Sequence, residues 1–396
     1  MERGQQAAPR PVQVDRELLI QLTQDLVRYP SVNPPGNERP VAEFLAGFME
    51  DLGIEANVQH LTENRANVIG RIRGESQGHV VFTGHLDVVP PGGQEWQHPP
   101  FDAELIDGRI YGRGSCDMKG GVAAMVIAAA GLVRAGFRPK ADVVIACTAG
   151  EEAGMMGALA MVEARILEGS RYLVVAEPSD LNVYIGEKGV LWLRIRALGR
   201  TAHGSMPWLG VNTVSYMARL IPELEAYPFP WQESALLGGP SSSVNVIQGG
   251  NKVNVVPDLC ELEVDMRTVP GQDHQEMVRM VRSVAERVAG EYNAELRIEV
   301  GIDNDKPPIE TDRSEALVEA TVNSVTAVRR SAPEVGGVTF GTDAAYLSPG
   351  FNIPMVICGP GSPSLAHQPN EYVEVDQLVQ ATQIYADLAQ RLLVES

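Results

Sequence analysis

Histidine and acidic residues that could bind metal ions occur at five separated places along the sequence. They are His85 with Asp87, Asp117, the adjacent pair Glu151 and Glu152, Glu177, and His367. Imidazole nitrogens and carboxylate oxygens suit Zn²⁺, Co²⁺ or Mn²⁺, and the set lacks the thiolates of a closed structural zinc site. The residue types therefore predict a catalytic metal centre, provided that the fold brings these side chains together.

Short apolar runs that are typical of buried strands come before most of these residues. The runs are His79–Phe82, Ala141–Ala146, Tyr172–Val175 and Pro354–Ile357, and helical apolar spacing occurs at Leu18–Tyr29 and Val41–Leu52. This alternation predicts an α/β domain with a mostly parallel sheet. Because ligands bind at the carboxyl ends of the strands in open α/β sheets, the acidic and histidine side chains should converge there.

After Pro178 the pattern changes to β-α-β-β-α-β, which is a complete ferredoxin-like α+β unit. We therefore divide the chain into a first part of the catalytic domain at 1–186, an inserted domain at 187–303, and a second part of the catalytic domain at 304–396. Pro307 and Pro308 mark the return segment.

The composition limits the partners and the compartment. Lys plus Arg number 32 against 51 for Asp plus Glu, and the net charge of −19 disfavours nucleic acid and anionic membranes. The longest apolar run, Gly120–Val133, is too short to span a bilayer, and residues 1–16 lack the apolar core of a signal peptide. The four cysteines are widely separated, which argues against a disulfide framework. We expect a cytoplasmic protein with a small-molecule substrate.

The ligand charges favour a pair of ions. Two divalent ions carry four positive charges, three carboxylates neutralise three of them, and a bridging hydroxide would neutralise the last. Paired metals generate such a hydroxide as a nucleophile near neutral pH. Glu151 and Glu152 are adjacent and cannot easily point the same way, so one can bind metal while the other reaches the attacking water as a general base. Taken alone, two acids at a helix start would be explained by the helix dipole.

His85 and Asp87 are two residues apart and face the same side of an extended segment. One of them can therefore be a ligand, while the carboxylate of the other orients the imidazole.

All these residues lie in seven segments that resemble the M20 metallopeptidases. That family includes acetylornithine deacetylase, succinyl-diaminopimelate desuccinylase, glutamate carboxypeptidase and aminoacylase. The segments are Gly84–Pro90, Gly112–Gly121, Gly150–Gly154, Glu177–Ser179, Ala202–Pro207, Asn251–Asp258 and His367–Glu371, in the family's order. The resemblance covers nearly the whole chain.

The resemblance implies a role for each candidate residue of the centre. The implied ligands are His85 and Glu177 for one ion, Glu152 and His367 for the other, and Asp117 as the bridge. Glu151 is implied as the general base. A cis peptide bond between Asp117 and Met118 is implied as well.

The resemblance also implies that the inserted domain is a lid that pairs with a second chain in a homodimer. His203, in Ala202-His203-Gly204-Ser205, would reach the neighbouring active site and stabilise the tetrahedral oxyanion. Arg267 would bind the substrate carboxylate, with Asn254 as an associated polar contact. A surface salt bridge is the plain alternative for Arg267.

Within the family, Gly186-Glu187-Lys188-Gly189 and His203–Pro207 are most similar to the deacetylase and desuccinylase group. We therefore expect cleavage of the amide bond of N-acyl amino acids that carry a free carboxylate. A carboxypeptidase or dipeptidase with the same metal centre is the alternative, because these motifs do not describe the acyl pocket. A single-metal enzyme and a non-catalytic scaffold are further alternatives, although a scaffold would be expected to lose the base or a ligand.

Overall fold

The chain forms two compact units in a computed structural model that describes residues 9–393. The first unit takes the chain up to Ile185, then Glu310–Gly336, and then the part from Thr342 onwards. The second unit consists of Gly186–Ile309 and Gly337–Gly341. The sequence places the insertion at 187–303, so the compact unit extends further along the chain than predicted.

The helices and strands alternate along the described residues. Before the insertion they are α1 (Arg16–Arg28), α2 (Arg39–Asp51), β1 (Glu55–His60), β2 (Ala66–Ile72), β3 (Ser76–His85), β4 (Glu104–Ile106), β5 (Arg109–Tyr111), α3 (Gly120–Arg134), β6 (Ala141–Thr148), α4 (Met156–Glu163), β7 (Ser170–Pro178) and β8 (Val183–Glu187). The insertion contains β9 (Gly189–Leu198), β10 (Ala202–His203), α5 (Thr213–Glu225), β11 (Ser241–Gly249), β12 (Val255–Val256), β13 (Leu259–Thr268), α6 (His274–Tyr292) and β14 (Arg297–Lys306). The chain ends with β15 (Ile309–Glu310), α7 (Ala316–Arg329), β16 (Val335–Val338), α8 (Ala344–Phe351), β17 (Met355–Gly359), β18 (Tyr372–Glu374) and α9 (Val375–Leu393).

A nine-stranded mixed sheet forms the centre of the first unit, in the order β1-β2-β6-β3-β7-β17-β8-β15 with β16 beside β8. The central strands β6, β3, β7 and β17 are parallel, whereas β1, β2 and β8 pair antiparallel. Every residue of β6 is buried, as expected for a strand that is covered on both faces. The predicted α/β class with a mostly parallel sheet is confirmed.

Helix α3 is deeply buried in the first unit, with residues 120–132 all buried. A Cβ atom added at Gly121 would lie 2.3 Å from the carbonyl oxygen of Ala176 in β7, so only glycine allows this close approach. The stretch Ser115–Arg134 is long and apolar enough to cross a membrane, but 89 % of its apolar window is buried among the described residues. It is a core helix of this unit.

The second unit is an antiparallel sheet in the order β11-β13-β9-β14, packed against α5 and α6. Residues of β13 alternate between buried and exposed, as a sheet with one covered face requires. The succession β9-α5-β11-β13-α6-β14 follows the predicted β-α-β-β-α-β order, and β10 and β12 form a separate two-stranded ribbon.

Strand β14 runs to Lys306, past the predicted end of the insertion at residue 303, because its polar residues have partners. Arg194 Nη2 lies 2.8 Å from Asp303 Oδ2, and His274 Nδ1 lies 2.6 Å from Asp305 Oδ1. These charged side chains therefore remain in a paired strand, although their types suggest a loop.

Candidate metal centre

Three neighbouring parallel strands, β6, β3 and β7, end at the same edge of the sheet, and candidate ligands lie at or just after their ends. His85 is the last residue of β3, and Glu177 is the penultimate residue of β7. Strand β6 ends at Thr148, directly before the short 3₁₀ turn that carries Glu151 and Glu152. The expected convergence at the carboxyl ends of the strands thus follows from the strand order.

Two further residues reach this edge from loops. Asp117 lies in a single helical turn, Ser115–Lys119, that leads into α3, and the peptide bond between Asp117 and Met118 is cis as predicted. His367 follows the turn Pro363–Leu365 after β17, and its backbone has φ +64°, in the left-handed region.

Asp117 lies between the two histidines. Its Oδ1 atom is 3.1 Å from His85 Nε2, and its Oδ2 atom is 3.4 Å from His367 Nε2. Glu177 Oε1 is 3.5 Å from His85 Nε2, and Glu152 Oε1 is 3.1 Å from His367 Nε2. The structure therefore brings all five predicted ligands together as two groups that share the Asp117 carboxylate.

The acidic side chains of this cluster are buried and repel one another. Burial and the charge of Asp117 raise the pKa of Glu177 well above its usual value. Burial raises the pKa of Glu152 to about 7, although the hydrogen bond with His367 opposes the shift. Hydrogen bonds with Asp117 and Glu152 raise the pKa of His367 to about 10.

The donor set fits a pair of divalent ions. His85, Asp117 and Glu152 each offer a ligand atom, and these atoms lie within 4.8 Å of one another. Nitrogen and oxygen donors without a thiolate suit Zn²⁺, Co²⁺ or Mn²⁺. Metal binding would displace protons from these groups, because ligands bind in their deprotonated forms.

The Asp87 carboxylate has a different partner from the one that the sequence predicts. His85 Nδ1 lies 2.9 Å from the backbone carbonyl oxygen of Asp87 and 3.6 Å from its carboxylate. The carboxylate instead accepts the backbone N–H groups of residues 150–152 at 3.0 to 3.1 Å, and the amide of Asn33 at 2.8 Å. Thus the backbone of Asp87 orients the imidazole, and its carboxylate holds the turn that carries Glu151 and Glu152.

Glu151 lies beside the ligands and is 7 % exposed. Its charge contributes to the raised pKa values of Glu152 and Glu177, which places it near both. Gly150 precedes it with φ +82°, a left-handed conformation that other residues adopt only at a cost. A buried carboxylate next to the cluster has the location that a general base requires.

Four buried charged residues near the centre were missed by the sequence analysis: Arg113, Lys119, Asp343 and Glu371. Lys119 Nζ donates to the carbonyl oxygen of Tyr29 at 2.7 Å, and burial lowers its pKa to about 7. Asp343 accepts a hydrogen bond from the Thr148 hydroxyl, and burial raises its pKa to about 7. Arg113 and Lys119 could have been identified as site residues because each is a charged residue inside the glycine-rich segment Gly112–Gly121.

The remaining predicted site residues lie in the second unit, where His203 ends β10 and Asn254 directly precedes β12. His203 is exposed and pairs with Val255, and its Nδ1 atom is 2.8 Å from the Ser205 hydroxyl. The N–H group of Gly204 donates to the carbonyl oxygen of Asn254 at 2.8 Å. The ribbon therefore brings His203 and Asn254 close together in space.

Arg267 lies on the four-stranded sheet, near the end of β13. Its Nε atom is 3.0 Å from Asp265 Oδ1, and its side chain is 31 % exposed. The salt bridge that was the alternative for this residue is present, and it leaves part of the side chain accessible.

A mixed α/β unit that gathers histidine and carboxylate donors at its strand ends, together with an inserted α+β unit, defines a metal-dependent hydrolase. The sequence pattern of the family described as Peptidase family M20/M25/M40 matches residues 81–391. The chain belongs to this family, and it is a metal-dependent amidohydrolase or exopeptidase of the M20 type. The predicted resemblance is confirmed.

Relatives are similar over almost the whole chain. A protein named probable succinyl-diaminopimelate desuccinylase from Staphylococcus aureus (strain MSSA476) is 27 % identical, with 95 % of this chain and 98 % of that protein covered. Acetylornithine deacetylase from Edwardsiella ictaluri (strain 93-146) is 30 % identical, with 91 % and 94 % covered. The crystal structure of the Bacillus subtilis YXEP protein, described as a dinuclear metal binding peptidase from the M20 family, has TM-score 0.71 and 20 % identity, with 96 % and 98 % covered.

Proposed function

We propose that this protein hydrolyses the amide bond of N-acyl amino acids that carry a free carboxylate, as a deacetylase or desuccinylase. The convergence of five histidine and carboxylate ligands beside the buried Glu151 is the observation that carries this proposal. The names of the relatives from Staphylococcus aureus and Edwardsiella ictaluri support the substrate class.

The metal ligands divide between two ions according to their distances. His85 and Glu177 would hold one ion, Glu152 and His367 the other, and Asp117 would be shared. Zn²⁺ is the proposed metal, with Co²⁺ or Mn²⁺ as substitutes, and when bound such ions lower the pKa of water and polarise the scissile carbonyl.

Glu151 accepts the proton of the attacking water and then passes it to the nitrogen of the leaving amino acid. Its burial keeps this carboxylate away from bulk solvent, and the hydrogen bond of its N–H group to Asp87 fixes the turn from which it projects. The proton thereby moves from the nucleophile to the leaving group without leaving the site.

The second unit supplies the substrate contacts in this proposal. Arg267, whose side chain stays partly accessible beside Asp265, would bind the free carboxylate, a planar bidentate task that suits arginine. Asn254 would add an amide contact, and the His203 imidazole would donate to the oxyanion of the tetrahedral intermediate.

We further propose that His203 acts in the active site of a second copy, in a homodimer that forms through the second unit in the cytoplasm. Large apolar side chains near the β10–β12 ribbon are exposed, with Trp208 73 % and Leu209 53 % accessible. Exposed apolar side chains that cluster beside polar ones mark protein–protein contacts. A twofold partner would cover them.

A substrate panel tests the proposed function. Release of acetate and succinate from N-acetyl and N-succinyl amino acids is compared with cleavage of dipeptides and of C-terminally extended peptides. We expect the acyl amino acids to have the highest kcat/KM. Faster cleavage of the peptides would instead support the alternative, a dipeptidase or carboxypeptidase with the same centre.

A further inference from the structure

The Glu371 carboxylate is completely buried and is bound on both of its oxygens. Oε1 accepts the backbone N–H groups of Gly114, Cys116 and Asp117 at 2.9 to 3.0 Å. Oε2 accepts a hydrogen bond from Arg113 Nη1 at 2.5 Å. Charge-assisted hydrogen bonds of this kind are strong, so the loop that contains Asp117 is held by its backbone.

Arg113 connects the same carboxylate to the loop of His367. Its guanidinium donates to the carbonyl oxygens of His367 at 3.2 Å and of Gln368 at 3.4 Å. The His367 side chain is 50 % exposed, so packing alone does not hold the ring. Its backbone is also left-handed, a conformation that a non-glycine residue keeps only when its surroundings hold it.

Strand pairing explains why two residues so distant in sequence meet. Strand β18 pairs antiparallel with β5, and the N–H group of Gly112 donates to the carbonyl oxygen of Glu371 at 2.8 Å. Arg113 follows β5 directly before the loop of Asp117, and Glu371 precedes β18 directly after the loop of His367. The pair therefore lies where both ligand loops begin from the same small sheet.

We propose that Arg113 and Glu371 are a positioning pair that holds Asp117 and His367 at the separation that metal binding needs. Neither residue has a role in the mechanism above. The pair sets the affinity of the ions by fixing the backbones of two ligands, since residues that orient ligands commonly change metal affinity by about 10- to 100-fold. The inference rests on the proposed metal centre but not on the proposed substrate.

Two variants disturb the pair in different ways. Glu371→Gln keeps one oxygen for the backbone N–H groups, but it turns an amide NH₂ towards Arg113 and leaves that buried guanidinium without its counter-charge. Arg113→Lys keeps the positive charge but replaces a planar fork with a single ammonium, which cannot serve the carboxylate and both carbonyls together.

A matched control removes a different buried carboxylate of the first unit. Asp142 lies at the start of β6, at the end of the strand away from Glu151, and it accepts the N–H group of Gly74 at 2.9 Å and faces Arg71 and Arg73 at 3.4 Å. Asp142→Asn should lower the Tm without changing metal binding.

The experiment titrates each metal-free protein with Co²⁺ in the absence of substrate. It records the visible absorption of the bound ion and, after dialysis, the number of ions per chain. We expect Arg113→Lys to weaken mainly the ion held by His367, and Glu371→Gln to weaken both ions because they share Asp117, by about 10- to 100-fold with an altered spectrum.

Wild-type affinity and spectrum in either folded variant would overturn the proposal. An equal loss in Asp142→Asn would also overturn it, because the effect would then reflect general destabilisation. If neither Arg113→Lys nor Glu371→Gln folds, the pair determines folding rather than ligand position, and the proposal is wrong. An unexpected result in the substrate panel would leave these measurements unaffected.

Discussion

The metal centre of the first unit and the ribbon of the second unit hold their functional residues in different ways. In the first unit the Asp87 and Glu371 carboxylates each accept four hydrogen bonds, and three of the four come from backbone N–H groups of a segment that carries a ligand. In the ribbon, His203 is exposed and its ring contacts only Ser205 among the hydrogen bonds of the described residues. We infer that the candidate metal centre is complete within the chain, whereas His203, the proposed oxyanion donor, would depend on a partner that covers the ribbon.

Replacement of Glu151, the proposed general base, should have the largest effect on turnover, and it tests the first half of that comparison. Glu151→Gln should lose about 10²- to 10⁴-fold in kcat, because no carboxylate accepts the proton of the attacking water. Metal content measured after dialysis should stay at the wild-type level. Glu163→Gln, an exposed glutamate in α4, is the control. Near-normal turnover of Glu151→Gln would remove the assignment.

Removal of the exposed His203 imidazole tests the second half of the comparison, the proposal that His203 is the oxyanion donor. His203→Ala should lower kcat by about 10²- to 10³-fold, the usual effect of removing an oxyanion donor, with both metals still bound. Steady-state kinetics and metal analysis measure the two quantities. His60→Ala, which removes an exposed histidine of the first unit, should leave the rate unchanged.

Mixing the two inactive proteins shows whether His203 acts in another subunit. A dimer of one Glu151→Gln chain and one His203→Ala chain would contain one intact composite site. Activity should therefore return in part after subunit exchange. If exchange is demonstrated and the activity does not rise, His203 works within its own chain.

Replacement of the Asp87 carboxylate should have a smaller effect on turnover, and it tests whether this side chain holds the turn of Glu151 and Glu152 in place. Asp87→Asn places an NH₂ group against the donors at residues 150–152, so the turn of Glu151 and Glu152 should shift. We expect losses of about 10- to 100-fold in turnover and in metal affinity. Asp142→Asn is again the matched control, and equal losses in both variants would mean that Asp87 has no special role.

Arg267 should affect substrate choice more than the chemical step. An N-acyl amino acid amide lacks the charge-assisted pair, so its kcat/KM should fall by about 10- to 100-fold, corresponding to about 1.4 to 2.8 kcal/mol. Arg267→Ala should remove most of this preference, while Arg194→Ala on the neighbouring strand should retain it. Equal cleavage of free and amidated substrates by the wild type would reopen the substrate class.

The parts of the molecule that the sequence predicted are those that depend on local periodicity. Buried runs such as Ala141–Ala146 identified the central strands, and the rule for strand ends predicted that His85 and Glu177 would converge. The order of the strands depends on long-range pairing and was not predicted. The parallel centre of the sheet was predicted from the alternation of helices and strands.

The parts that the sequence did not predict depend on partners far away along the chain. Glu371 and Arg113 meet only because β18 pairs with β5, and no spacing rule indicates that pairing. The two-residue spacing of His85 and Asp87 brought them together but could not distinguish a backbone oxygen from a carboxylate. In β14, Asp303 and Asp305 are of a residue type that is common in loops. Their partners Arg194 and His274 lie on other elements and keep them in the strand.

Removal and return of the metal ions tests the central claim most directly. The chain is stripped with a chelator, its fold is checked by circular dichroism, and hydrolysis of an N-acyl amino acid is measured as Zn²⁺ or Co²⁺ is added back. We predict a folded but inactive apo protein whose activity returns and reaches its maximum at two ions per chain, because the core does not depend on the metals. Full activity at one ion per chain, or hydrolysis by protein that is verified to be metal-free, would contradict the two-ion account.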